Sequence, residues 1–92
     1  MMKRKFDEKL IRELISNDLF SFVVVSLISA DTIINLETAR ESLKYIMEIK
    51  EVVSGMTFDS EDKKESILKT LNDCTDIAND EIKKYNNEQT KE

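Results

Sequence analysis

The chain has no histidine, no proline and no tryptophan, and only one glycine and one cysteine among its 92 residues. Each scarcity excludes something. Without histidine there is no imidazole base, no thiolate–imidazole pair and no histidine-containing zinc site. One cysteine cannot close an internal disulfide, which suits a reducing compartment. Without proline, and with a single glycine, long helices can run uninterrupted and tight β-turns are hard to build. At this length there is room for one domain and one modest core.

What the chain has in quantity is charge. Asp, Glu, Lys and Arg make up 36% of the residues and the net charge is −5. That balance disfavours broad binding to nucleic acid. One stretch departs from the pattern: LFSFVVVSLISA, Leu19 to Ala30, where Ser21, Ser26 and Ser29 are the only polar side chains. A membrane-spanning helix needs about 20 apolar residues, and this stretch stops at Asp31. The N-terminal MMKRKFDEKL is basic but leads into a charged helical pattern rather than an apolar run, so no cleavable export signal is expected. The expected location is cytoplasmic.

The apolar spacing predicts helices. Phe6, Leu10 and Leu14 fall on one line, flanked by Ile11 and Ile15, and Glu8–Arg12 and Lys9–Glu13 are opposite charges four apart. Ser16–Asp18 then interrupts; Asn17 suits a left-handed helix end and Asp18 a new cap. The FVVV run favours a strand by propensity. A strand needs a partner, however, and no second strand-like run exists, so a helix is expected here too. On that helix Phe20, Val23, Val24, Leu27 and Ile28 form a broad apolar face, with Ser21, Val25 and Ser29 opposite. A helix apolar on one side and small on the other reads as a buried central helix.

Leu36, Ala39, Leu43, Ile46 and Val53 continue with four-three spacing, widened by Met47 and Val52. Asp31 or Asn35 can cap this helix; with Asn35 as the cap, Ile34 and Ala39 would form a hydrophobic staple. Gly55 stands where a left-handed C-cap is wanted. Asp59 or Ser60 can cap the last helix, whose line is Ile67, Leu71, Cys74 and Ala78. Glu61, Asp62 and Glu65 load its first turns with charge that suits the helix dipole. Periodicity stops at Asn86. The expected architecture is all-α: a small three- to four-helix bundle with short connections, antiparallel, with an apolar central helix. Residues 1–85 make a single helical domain and 86–92 a frayed polar tail.

Few residues could carry chemistry. Cys74 lies on an apolar line with no base to activate it, which marks a buried structural thiol. Glu37 and Glu41, and the row Asp73, Asp76, Asp80, could face a metal ion, but bundle metal sites pair glutamate with histidine at Glu-x-x-His spacing. No calcium-loop spacing or glycine-rich phosphate loop is present. We therefore expect no catalytic residue, no cofactor and no metal. The Asp73–Asp76–Asp80 row also reads as an acidic stripe on which a basic partner could dock. Lys3, Arg4 and Lys5, with Lys9 and Arg12, form a small basic patch able to touch phosphates, interrupted by Asp7, Glu8 and Glu13.

The function expected is a non-enzymatic helical protein–protein interaction module. A small interior and three apolar-striped helices leave surplus apolar surface that must be covered. The expected self-association or partner interface is Phe20, Ser21, Val24, Val25, Ile28 and Ser29, with a homo-oligomer as the first expectation. By analogy of size and charge alone, an acidic helical protein of this kind could occlude a basic, nucleic-acid-handling protein as an inhibitor, an antitoxin-like or a regulatory factor, in the manner of phage and mobile-element proteins. The alternatives are a dimeric nucleic-acid-binding regulator using the basic N-terminal helix, and a membrane-surface immunity-type protein. Neither nucleic acid nor membrane is the expected partner.

Overall fold

A computed structural model describes residues 6–90, with side chains described for 6–87. Four helices follow in order: α1 (Glu8–Ser16), α2 (Phe20–Leu27), α3 (Leu36–Ser54) and α4 (Glu61–Thr90). Among the described residues there is no strand. The fold is a small all-α bundle built on the α3–α4 hairpin, with α1 and α2 packed against it. The six-residue connection 55–60 is too short for anything but antiparallel neighbours.

The local signals act through identifiable hydrogen bonds. Asp7 caps α1, its Oδ1 accepting from Leu10 N at 2.9 Å. Arg12 pairs with Glu8 one turn back at 2.8 Å and also donates to the Thr57 carbonyl at 3.3 Å, tying α1 to the connection before α4. The break at Ser16–Asp18 is a Schellman turn: Leu19 N donates to Leu14 O at 2.8 Å and Asp18 N to Ile15 O at 3.2 Å. The left-handed residue is Asp18, with φ 58°, and not Asn17, whose φ is −100°. Asn17 instead turns its side-chain amide back to the Glu13 carbonyl at 2.9 Å. Asp18 therefore ends α1 and does not cap α2, which has Leu19 at its N-cap and no side-chain cap bond.

Of the two candidate caps, Asp31 and Asn35, it is Asn35 that caps α3, in a reciprocal box. Its Oδ1 accepts from Thr38 N at 2.9 Å, and Thr38 Oγ1 accepts from Asn35 N at 3.0 Å. The staple does not form, because Ile34 is exposed; Ile33 is the residue driven inside. Gly55 is also unlike the expectation, at φ −89° and ψ −4°. Helix α3 ends by tightening, with Gly55 N donating to Val52 O and Met56 N to Val53 O, both at 3.1 Å. The Lys64 ammonium then donates to the Ser54 and Met56 carbonyls, each at 3.1 Å, so no left-handed residue is needed to satisfy that end. Ser60 caps α4 through its Oγ, which accepts from Lys63 N at 3.4 Å.

The core is one cluster. Ile11 of α1, Phe20 and Val24 of α2, Ile46, Ile49 and Val53 of α3 and Leu71 of α4 fill its larger part. Ala39 and Ser42 of α3 and Cys74 and Ala78 of α4 are buried as well. These small residues sit in the half of the hairpin remote from its connection, and they let the two backbones lie close there. Phe6 reaches back to stack edge-on against Tyr45, with ring centroids 5.9 Å apart, and Phe58 packs against the same core. Among the described residues no buried side-chain polar atom lacks a partner.

Helix α4, at 30 residues, is about 45 Å long. It outruns α3, continues through Thr90 past the point where apolar periodicity stops, and buries no described side chain beyond Ala78. The longest dimension of the molecule is 51 Å.

Candidate functional site

The feature that stands out is α2. It is an eight-residue helix in which every side chain but the serines is apolar, and it is buried on one side only. Phe20 and Val24 point into the core, with Val23, Leu27 and Ile28 partly buried beside them. On the opposite side Phe22 is 75% exposed and Val25 53%, and Leu19, at the N-cap, is 48% exposed. Ser26 and Ser29 continue that outer side toward the end of the helix. A single exposed apolar residue needs no explanation, but three in register on one helix face form a patch.

The six residues grouped from the sequence as an interface are thus divided by the fold. Phe20 and Val24 are buried inside the chain and have no surface left for a partner. Ser21 and Val25 are exposed, and Ile28 and Ser29 are half-buried. Ser21 lines an open cleft of about 260 Å³ between the α1–α2 corner and α4, with Ile15, Phe20, Lys63 and Ile67. That volume is below the roughly 300–1,000 Å³ of small-ligand pockets. Phe22 and Leu19, which are not among the six, complete the outer face. Phe22 sits two residues from Phe20, hence about 200° around the helix, and that offset was the signal available.

The serine hydroxyls near this face are already satisfied. Ser26 Oγ donates to Val23 O at 2.6 Å and Ser29 Oγ to Ser26 O at 3.1 Å. Thr32 Oγ1 closes the end of the helix by donating to the same Ser26 carbonyl at 2.7 Å. The face is therefore less polar than its composition suggests: each hydroxyl proton is turned back onto the backbone.

Asp73, Asp76 and Asp80 are all exposed, on the side of α4 opposite Leu71, Cys74 and Ala78, and Asp73 lies 3.8 Å from Lys69 in a solvated pair. Such a pair contributes little to stability. Among the described residues no three metal-ligating side chains converge. Cys74 is buried, and burial, reinforced by the Asp73 carboxylate, pushes its thiol pKa up, away from the reactive thiolate. Lys3, Arg4 and Lys5 lie outside the described residues. Among the described residues no helix is long and apolar enough to cross a membrane. No family model, no curated protein and no solved structure matches this chain.

Proposed function

We propose that this chain is a non-enzymatic helical interaction module that docks a protein surface on the outer face of α2. The observation that carries the reading is the exposure of Phe22, Val25 and Leu19 together on one side of a helix whose other side is core. An aromatic ring left three-quarters in water, beside two aliphatic neighbours, is the type of side chain enriched where proteins meet. The α3–α4 hairpin and α1 serve to hold that helix rigid. The absence of histidine and the burial of the only thiol favour binding over chemistry.

The test is a photoactivatable phenylalanine analogue at position 22, irradiated in cells. Covalent adducts to protein should form at position 22 and not at the exposed control position Glu41. Equal or absent crosslinking at the two positions would remove the reading.

A further inference from the structure

We propose that the connection between α3 and α4 is a cation-clamped joint. Lys64 and Arg12 hold its carbonyls, and the joint opens locally, without the core, when their grip is lost.

The backbone creates the need for a clamp. A helix leaves its last carbonyls without intrahelical donors. At the end of α3 the tightened turn satisfies two of them, Val52 O and Val53 O, which accept from Gly55 N and Met56 N. Among the described residues no backbone N–H donates to the carbonyls of Ser54, Met56 and Thr57.

The missing donors come from two cationic side chains on different helices. The Lys64 ammonium, in the first turn of α4, donates to Ser54 O and Met56 O, each at 3.1 Å. The Arg12 guanidinium, on α1, donates to Thr57 O at 3.3 Å. Arg12 divides its donors, because Glu8 also takes its Nε at 2.9 Å and its Nη2 at 2.8 Å. Lys64 does not. Among the described residues no carboxylate pairs with it, so its charge acts on the carbonyls alone. The C-terminus of a helix is also where the dipole favours a cation. Lys64 is therefore the main hold and Arg12 the lesser one.

What the clamp retains is apolar. Met56 is 2% exposed and Phe58 is half-buried, and both pack on the core. Beside them lies an open cleft of about 200 Å³, walled by Arg12, Ile15 and Ser16 on one side and by Phe58, Asp59 and Lys63 on the other. The joint is thus unpacked on that side and has room to move there. The backbones of α1 and α4 do not meet among the described residues, so the joint, held from both, is a bridge between them.

The experiment is amide hydrogen exchange on the full chain, followed by NMR with and without low urea. A local opening exposes little surface, so its rate barely responds to urea, whereas exchange through global unfolding responds steeply. In the wild type, Gly55 N and Met56 N should exchange independently of urea, and Ile46 N and Leu71 N should follow it. Lys64→Met keeps the side-chain length and removes charge and donors. It should speed exchange at Gly55 and Met56 by about tenfold, the factor implied by losing a hydrogen bond to a charged group. Arg12→Met should speed the same two amides by a smaller factor. Lys63→Met removes the same charge one residue away from a side chain that touches no joint carbonyl, and should leave both rates unchanged. The proposal is overturned if Gly55 and Met56 respond to urea as the core does, or if Lys64→Met or Arg12→Met leaves them unchanged. Equal acceleration by Lys63→Met and Lys64→Met overturns it too. So does a Lys64→Met chain that fails to fold, because a local joint leaves the core standing.

Discussion

Phe20 and Phe22 are two residues apart on the same short helix, and truncating each should have opposite consequences. Phe20 is 6% exposed and Phe22 75% exposed. Replacing Phe20 with alanine removes roughly 120 Å² of buried apolar area, about 3 kcal/mol at 25 cal/mol per Å². The cavity left behind brings the cost to about 3–5 kcal/mol. The ring of Phe22 buries only a quarter of itself, so the same truncation forfeits about 0.7 kcal/mol. Alanine's better helix propensity returns about 0.5 kcal/mol of that, leaving a net change near zero. A domain of this length has about 5–14 kcal/mol of total stability. Phe20→Ala should therefore lose about 3–5 kcal/mol of that stability and Phe22→Ala be indistinguishable from wild type. Urea unfolding followed by far-ultraviolet circular dichroism, at the lowest workable protein concentration, measures both. If Phe22→Ala costs as much as Phe20→Ala in dilute solution, both sides of α2 are buried within one chain and the docking face does not exist.

Further outcomes follow from individual backbone and side-chain positions. Gly55 lies at φ −89°, and an added Cβ would meet nothing closer than the Val52 carbonyl oxygen at 3.7 Å, so Gly55→Ala should stabilise by about 0.4–1 kcal/mol in the same urea assay. Asp18, at φ 58°, should gain about 0.5–1 kcal/mol on replacement by glycine, and Asp18→Val should lose more than that, a contrast readable in thermal melts. Asn35→Ala removes the acceptor for Thr38 N and should cost about 1 kcal/mol. The Cys74 thiol has its pKa raised above its ordinary 9.0 by burial and by Asp73, so the unfolded thiol ionises first. Its contribution to stability is intact below pH 9 and is lost as pH rises through the folded-state pKa. Stability measured at stepped alkaline pH should fall more steeply for wild type than for Cys74→Ala.

Much of the fold could be read from the residues. Helices α3 and α4 carry four-three apolar spacing over several turns, and the sequence narrows their caps to Asp31 or Asn35 and to Asp59 or Ser60; the structure selects Asn35 and Ser60. The corner between α1 and α2 was visible as a polar interruption. Which residue would turn left-handed was not, since Asn17 and Asp18 tolerate that backbone almost equally and the Schellman hydrogen bonds decide between them. Gly55 misled because a glycine after a helix usually marks a left-handed cap. Here a lysine ten residues beyond Ser54 satisfies the carbonyls instead, a tertiary contact that local pattern cannot show.

The candidate site was only half legible for a related reason. An amphipathic helix announces its inner side by contrast, and α2 has little contrast, so Phe20 and Val24 were grouped with Val25 although they face opposite ways. Only the packing against α3 and α4 separates them. The self-satisfied serines, equally hidden in the sequence, make the outer side behave as apolar surface.

The most direct test of whether another surface covers this face is a thiol-labelling comparison. A membrane-permeant maleimide is applied to Ser26→Cys, on the same outer side with Phe22 left intact, and to Glu41→Cys, each both in cells and as dilute purified protein. In dilute solution both positions should label rapidly, while the buried Cys74 does not. In cells position 26 should be protected by about tenfold relative to position 41, the ratio expected if most copies are docked. Equal labelling of the two positions in cells would contradict the claim that the outer face of α2 is a docking surface.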